Sequence, residues 1–185
     1  MEEQELIEAA KSGDKRALAE IVKKYEKTIY NFSFKICRNP EKAENTMQET
    51  FLSMVKSLHQ FDGKSKLSTW LYRIVANHCL MEVRKKRYQF ASIDDEDELF
   101  ENKITADWKE IPSFSVENDE LKKVLDEAIG KLSPEYRVVF LLRDVEGFST
   151  EETGQMTDLS VPAVKSRLHR ARAFLRNEIN EAFRK

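Results

Sequence analysis

The chain has 185 residues, with 31 Lys and Arg against 33 Asp and Glu, a formal charge of −2, and 41% apolar residues. The length fits one ordinary domain or two small ones, with enough apolar residues for real cores. No apolar run approaches the roughly 18 residues of a membrane-spanning helix, and a charge so near zero leaves any affinity for a polyanion to the distribution of charge along the chain. The acidic start, Met1 to Glu5, lacks the apolar segment of a secretory signal, so a cytoplasmic protein is expected. Cys37 and Cys79 make neither a CxxC pair nor a disulfide framework, and are expected as two reduced cysteines beside a helical core. Gly and Pro are scarce, at five and four, and Lys, Glu, Leu and Ala are common, which favours helices.

Residues 14–37 read as a helix, with Asp14 as N-cap and Ala17, Leu18, Ile21, Val22, Tyr25 and Ile29 at helical spacing. Asn39-Pro40 ends it and starts another, in which Ala43, Met47, Phe51, Met54, Val55 and Leu58 form one apolar stripe. The opposite face carries Glu41, Glu44, Asn45, Gln48, Glu49 and Lys56. The stretch from Phe61 to Lys66 is a turn-rich basic loop. Ser68 then caps a further helix over 69–87, with Leu71, Ile74, Val75 and His78 inward and Arg84-Lys85-Lys86-Arg87 at its end. Composition changes after Gln89: an acidic cluster from Asp94 to Glu98 precedes sparse apolar residues, Trp108 and Phe114 among them. Residues 90–116 therefore read as a flexible acidic linker between helical domains at 1–89 and 117–185.

In the second domain Leu121, Val124, Leu125, Ala128, Ile129 and Leu132 keep a helical period. Ser133-Pro134-Glu135 starts the next helix, which runs through Val138, Val139, Leu141 and Leu142 toward a stop at Gly147. Ser149-Thr150-Glu151-Glu152 is a capping box for a short helix reaching about Met156. After a turn at Thr157-Asp158-Leu159, Ser160 or Val161 caps the last helix, with Pro162 in its first turn. The fold class is all-α, with no internal repeat and no credible strand.

A short helix, a tight turn and a longer helix between Ser149 and Arg176 make a helix-turn-helix. Val164, Leu168, Ala171 and Leu175 form its inward stripe, and no acidic residue occurs from Leu159 to Asn177. A solvated face normally mixes signs, so a single-sign face suits DNA: cations release counterions from phosphates, and Arg forks onto guanine. Ala163, Lys165, Ser166 and Arg167 lie early enough on the helix to approach base edges, Arg170 and Arg172 suit phosphates, and Pro162 and His169 belong to the same candidate DNA-binding surface. The alternative is a basic surface helix with no partner.

In the first domain Arg73, Asn77, Leu80 and Arg84 fall on one stripe, with Trp70 nearby and Lys64, Ser65, Lys66, Leu67 and Ser68 at the helix start. Cations, amides and aromatics together suit melted or single-stranded DNA, where stacking contributes about 1–3 kcal/mol per base. The competing reading makes Trp70 a core residue. Asn45, Gln48, Glu49 and Leu52 form a polar patch with an apolar centre, suited either to docking on another helix or to solvent. His59, His78 and His169 are scattered, Cys37, Cys79 and His78 make a weak metal set, and there is no phosphate-binding Gly-rich loop, so no cofactor and no catalysis are expected.

The sequences Ala43-Glu44-Asn45-Thr46-Met47-Gln48-Glu49-Thr50-Phe51, Phe61-Asp62-Gly63 and Ser68-Thr69-Trp70-Leu71-Tyr72-Arg73-Ile74-Val75-Ala76-Asn77 resemble region 2 of extracytoplasmic-function σ factors of RNA polymerase. Leu132-Ser133-Pro134-Glu135-Tyr136-Arg137 and the run from Val164 to Arg172 resemble their region 4. The resemblance implies that Asn45, Gln48, Glu49 and Leu52 face the clamp helices of the polymerase β′ subunit. It implies that Phe61, the loop to Trp70 and the following helix melt and read the −10 element. It further implies that the helix from Pro162 reads the −35 element, that its domain contacts the β flap, and that an anti-σ protein is a possible partner. Asn45 stands where the family usually has Asp, which removes one charge from the clamp contact, and Thr153-Gly154 replaces an Ile-Ala pair, at about 1 kcal/mol of helix propensity for the glycine. Two other readings fit parts of the pattern: a helix-turn-helix regulator that binds duplex operators without polymerase, and a helical decoy that binds polymerase or an anti-σ protein without opening promoters.

Overall fold

The structure is a computed structural model describing residues 2–89 and 119–184. The acidic segment 90–116, with Trp108 and Phe114, lies outside the described residues, as do the side chains of Arg84 and of 86–89. Two compact units are present, one formed mainly by Met1–Glu82 and the other by Val83–Gly154 and Asp158–Lys185. Among the described residues there is no strand.

The first unit opens with a helix not anticipated from the sequence, α1 (Glu3–Lys11), which buries Leu6, Ile7 and Ala10. It is one reason the unit closes: three apolar side chains at i, i+1 and i+4 form a narrow stripe that needs a neighbour to be stable. The Tyr25 hydroxyl donates to the Glu3 carboxylate, and Lys24 lies 3.4 Å from it, which ties α1 to α2 (Lys15–Cys37). The hydrogen bond from Tyr25 holds the Glu3 carboxyl below its ordinary value. Asp14 caps α2 as expected, accepting from the backbone N–H groups of Arg16 and Ala17.

The α2 helix ends on Arg38 in the left-handed region (φ 53°), and Asn39 immediately caps α3 (Pro40–Ser57) by accepting from the Lys42 N–H at 2.9 Å. An αL residue followed by an N-cap and a proline reverses the chain in two residues. The buried face of α3 holds Ala43, Thr46, Thr50, Phe51 and Met54, whereas Val55, expected on the apolar stripe, is 50% exposed. Threonines occupy the core because their hydroxyls are satisfied locally: Thr50 donates to the Thr46 carbonyl at 2.7 Å. A single 3₁₀ turn (Leu58–Gln60) then leads to the basic loop, where Gly63 takes a positive φ of 71°.

The next helix, α4, spans Leu67–Gln89. It starts earlier than expected: Trp70 N–H already bonds to the Lys66 carbonyl at 3.2 Å, so Ser68 sits inside the first turn instead of capping it. Leu71, Tyr72, Val75, Ala76, Cys79 and Leu80 are buried. The His78 ring lies 3.0 Å from the Ser53 hydroxyl of α3, a half-buried, hydrogen-bonded histidine.

The two cysteines are free thiols beside the helical core, as expected, but no sequence signal marked them as neighbours. Cys37 closes α2, Cys79 lies in α4, and their sulfurs are 3.6 Å apart in the free thiol state. A separation of 42 positions conceals this proximity, which arises only where the end of α2 meets α4.

In the second unit α5 (Asp119–Lys131) is followed by α6 (Pro134–Phe140), whose residues Tyr136 to Leu142 are consecutively buried as it continues into a π turn (Leu141–Val145). A helix buried on every side shows no amphipathic period. Arg137, 6% exposed, lies among these apolar residues because its guanidinium closes the end of α5, donating to the carbonyls of Ile129, Gly130 and Leu132 at 2.9, 2.6 and 2.5 Å. The last carbonyls of a helix lack intrahelical donors, and a fork of N–H groups satisfies them.

Candidate nucleic-acid interface

The helix-turn-helix consists of α7 (Thr150–Thr157) and α8 (Val161–Phe183). The capping box forms as expected: Ser149 Oγ accepts from the Glu152 N–H at 3.0 Å, and Glu152 accepts from the Ser149 N–H at 2.7 Å. Asp158 turns the chain in the left-handed region (φ 58°), and Ser160 caps α8 by accepting from the Ala163 N–H. Gly154 has a specific place in this corner. A Cβ there would stand 2.7 Å from the Leu159 carbonyl oxygen and 3.7 Å from Val164. The same Gly154 carbonyl accepts from the Leu159 N–H at 3.0 Å. The helix propensity lost at Gly154 thus accompanies a close backbone approach that sets the turn between the two helices.

Val164, Leu168, Ala171 and Leu175 are the buried face of α8. Pro162, Lys165, Ser166 and His169 are exposed, and Ala163 is half-buried. The arginines differ from this exposed group. Arg172 forms a two-pronged pair with Asp144, at 2.8 and 2.6 Å, and the π turn carries Asp144 into that position. Arg170 donates to the Tyr136 hydroxyl at 3.3 Å, and Arg167 lies 3.9 Å from Glu135. Each of these three cations is half-buried against α6 or its extension. The expectation that Arg172 serves phosphates is thereby changed: to do so it must leave a bidentate carboxylate partner.

In the first unit Lys64, Ser65 and Lys66 are exposed in the loop before α4. Asp62 accepts from the backbone N–H of Lys64 and pairs with its ammonium at 2.9 Å; these bonds hold the Asp62 carboxyl down and the Lys64 ammonium up from their ordinary values. Both groups are solvent-exposed, so this pair yields readily to a stronger anion. Phe61 and Leu67 are buried, at 5% and 2% exposure, and are no longer contact residues as they stand. Phe61 packs beside Trp70 at 5.5 Å between ring centroids, with the Lys11 ammonium 5.9 Å from the Phe61 centroid. These apolar residues anchor the two ends of the loop, and Trp70 and Ser68 remain half-exposed at its rim.

Arg73 and Asn77 are exposed on the same stripe of α4 as Trp70, while Leu80 is buried. At about 100° per residue, Leu80 falls on the border of the stripe toward Ala76 and Tyr72, which places it in the core. The side chain of Arg84 is outside the described residues.

The outer face of α3 carries Asn45, Gln48 and Glu49, all exposed, around Leu52 at 52% exposure. Val55 extends that apolar centre. Sequence reasoning missed it, although Val55 lies three residues after Leu52 and seven after Gln48, a spacing that already puts it on their side. Two adjacent half-exposed aliphatic side chains within a polar rim resemble the anatomy of a protein-docking patch.

Among the described residues no group of His, Cys, Asp and Glu could hold a metal ion, and no helix is long and apolar enough to cross a membrane. Residues 21–88 match the family described as Sigma-70 region 2, and residues 122–175 match Sigma-70, region 4. Over 179 residues the chain is 34% identical to the ECF RNA polymerase sigma factor SigW of Bacillus subtilis strain 168, with 95% of each covered. It is 31% identical over 174 residues to the RNA polymerase sigma-H factor of Pseudomonas aeruginosa, covering 92% of this chain and 90% of the relative. A solved structure of CnrH in complex with the cytosolic domain of CnrY superposes with a TM-score of 0.60 at 25% identity, covering 95% of this chain and 96% of CnrH. Helix-turn-helix, region 2 helices and full-length similarity converge: this chain belongs to the extracytoplasmic-function group of the σ-70 family, the non-catalytic subunits that direct promoter-specific transcription by RNA polymerase.

Proposed function

We propose that three surfaces divide the work of this σ factor. The outer face of α3, with Asn45, Gln48, Glu49, Leu52 and Val55, docks on the β′ clamp helices of core polymerase. The loop Lys64–Lys66, with Ser68, Trp70, Arg73 and Asn77, captures melted −10 bases. The leading turns of α8, with Pro162, Ala163, Lys165, Ser166 and His169, read the −35 element in the major groove, with Arg167 and Arg170 at the edge of that contact. The observation that carries this reading is the composition of α8: its inner stripe is buried, its exposed early face bears Lys165, Ser166 and His169, and its first turn contains no acid. The positive end of the helix dipole adds to that field. The second unit is expected to meet the β flap.

A protein partner such as an anti-σ factor would act by covering Leu52 and Val55, since an exposed aliphatic pair gains most from exclusion of water. The CnrH–CnrY complex is the supporting precedent for a protein partner.

Transcription in vitro with purified core polymerase tests the assignment. Adding the chain should create start sites absent with core alone. Leu52→Arg should abolish them by preventing polymerase binding. Lys165→Ala should lower occupancy of the −35 element while polymerase binding persists. Normal start-site selection by Leu52→Arg would remove the α3 face from the docking role.

A further inference from the structure

The Cys37 and Cys79 sulfurs lie 3.6 Å apart, joining the last residue of α2 to the middle of α4 across 42 positions of sequence. Cys37 is half-buried and Cys79 is 5% exposed, so Cys37 is the more accessible of the two residues. The Thr46 hydroxyl of α3 lies 3.6 Å from Cys37. We propose that Cys37 and Cys79 are a peroxide-oxidisable dithiol, with Cys37 as the attacking and Cys79 as the resolving thiol.

Adjacency to a second thiol separates this site from an ordinary buried cysteine. The Cys79 thiol and the Thr46 hydroxyl hydrogen-bond to the Cys37 thiolate and draw its pKa down to about 7, against the opposing effect of burial. Lys42 of α3 lowers it further, and Glu82 of α4 raises it. Cys79 is pushed the other way, by its hydrogen bond to Cys37 and by burial, and stays protonated. A dithiol with one thiolate and one thiol at neutral pH is the form that peroxide attacks and then resolves.

The reaction balances without a metal or cofactor. The Cys37 thiolate attacks one oxygen of hydrogen peroxide, the O–O bond breaks, and the departing hydroxide takes up a proton to become water. Cys37 is now a sulfenic acid. The Cys79 sulfur attacks the Cys37 sulfur, the S–O bond breaks, and the hydroxyl leaves with the Cys79 proton as a second water. Two electrons have passed from the sulfurs to the peroxide, and a dithiol reductant reverses the disulfide. The sulfurs need to approach by only about 1.5 Å to reach bonding distance. The product ties α2 to α4 around the segment that contains α3 and the basic loop.

The test uses the reduced full chain, titrated with hydrogen peroxide near neutral pH. Both thiols should disappear together, the intact mass should fall by two hydrogens, and a non-reducing peptide map should join the Cys37 and Cys79 peptides within one chain. Thermal unfolding of the first unit should rise by about 10 °C on oxidation and return with dithiothreitol. In Cys79→Ser the Cys37 sulfenic acid should persist and be trapped by dimedone; in Cys37→Ser the remaining thiol should resist peroxide. Disulfide-linked dimers, separate oxidation of each sulfur to sulfinic acid, or survival of both thiols would overturn the proposal. The wild-type peptide map decides the matter even if a serine variant fails to fold.

Discussion

Replacing Arg137 by Met gives the sharpest test of how the second unit is held. Methionine keeps much of the volume but removes the three donors that close α5 at Ile129, Gly130 and Leu132. An unsatisfied buried carbonyl costs about 1–3 kcal/mol. The bond to Gly130 is part-buried, so water can replace it; those to Ile129 and Leu132 are buried and are the ones lost. Against this, the guanidinium no longer has to be stripped of water, a gain that offsets part of the loss. The expected net destabilisation is about 2–4 kcal/mol. A small domain has only about 5 kcal/mol in hand, so α5 and α6 should approach local unfolding. Hydrogen exchange of peptides within 119–142 should accelerate by a factor of about 30 or more, at 1.4 kcal/mol per factor of ten. Arg137→Lys should fall between, since an ammonium lacks the planar fork. A change below about 1 kcal/mol in Arg137→Met would refute the view that the guanidinium serves as the cap of α5.

Gly154→Ala should fail to deliver the roughly 1 kcal/mol of stabilisation that alanine gives in an open helix, because its Cβ meets the Leu159 carbonyl at 2.7 Å; a full gain in urea denaturation would show that the turn relaxes freely. Asp144→Ala and Arg172→Ala should be non-additive, with a coupling of about 1–3 kcal/mol in a double-mutant cycle, whereas additive losses would mean the pair contributes nothing in solution. Lys165→Ala should leave the melting temperature unchanged and reduce the salt dependence of promoter binding by about one unit of slope; an unchanged slope would place Lys165 away from phosphate. Alkylation of Cys37 should rise as pH increases through about 7 and level off above it, because the reactive thiolate is lost when protonated below that value. Cys79→Ala, which removes the hydrogen-bond donor, should move that midpoint upward toward the ordinary thiol range, and no movement would separate the two sulfurs chemically.

Much of the local structure was legible because it depends on neighbours in sequence. Asp14, Asn39, Ser149 and Ser160 each cap a helix within three residues of themselves, and the inner stripe of α8 follows from its period. The α1 helix was harder to read, since its nine residues carry only three buried side chains and gain their stability from packing against α2. Val55 was assigned inward because it is apolar, but the interior face of α3 is made by Ala43, Thr46, Thr50, Phe51 and Met54, with the Thr50 hydroxyl satisfied by the Thr46 carbonyl. For the candidate surfaces, residue type identified which cations and amides were present, while burial decided which were presented. Phe61 and Leu67 went to the core, and Arg167, Arg170 and Arg172 were drawn toward Glu135, Tyr136 and Asp144.

From the sequence alone come the helical class, the caps, the helix-turn-helix and the family, because hydrophobic period and turn chemistry act over a few residues at a time. The meeting of Cys37 with Cys79, the closure of α5 by Arg137 and the fit of Gly154 against the Leu159 carbonyl were decided only when helices packed. Each of these depends on a distance between groups on different turns or different helices, and such distances are set by the packing of the whole unit.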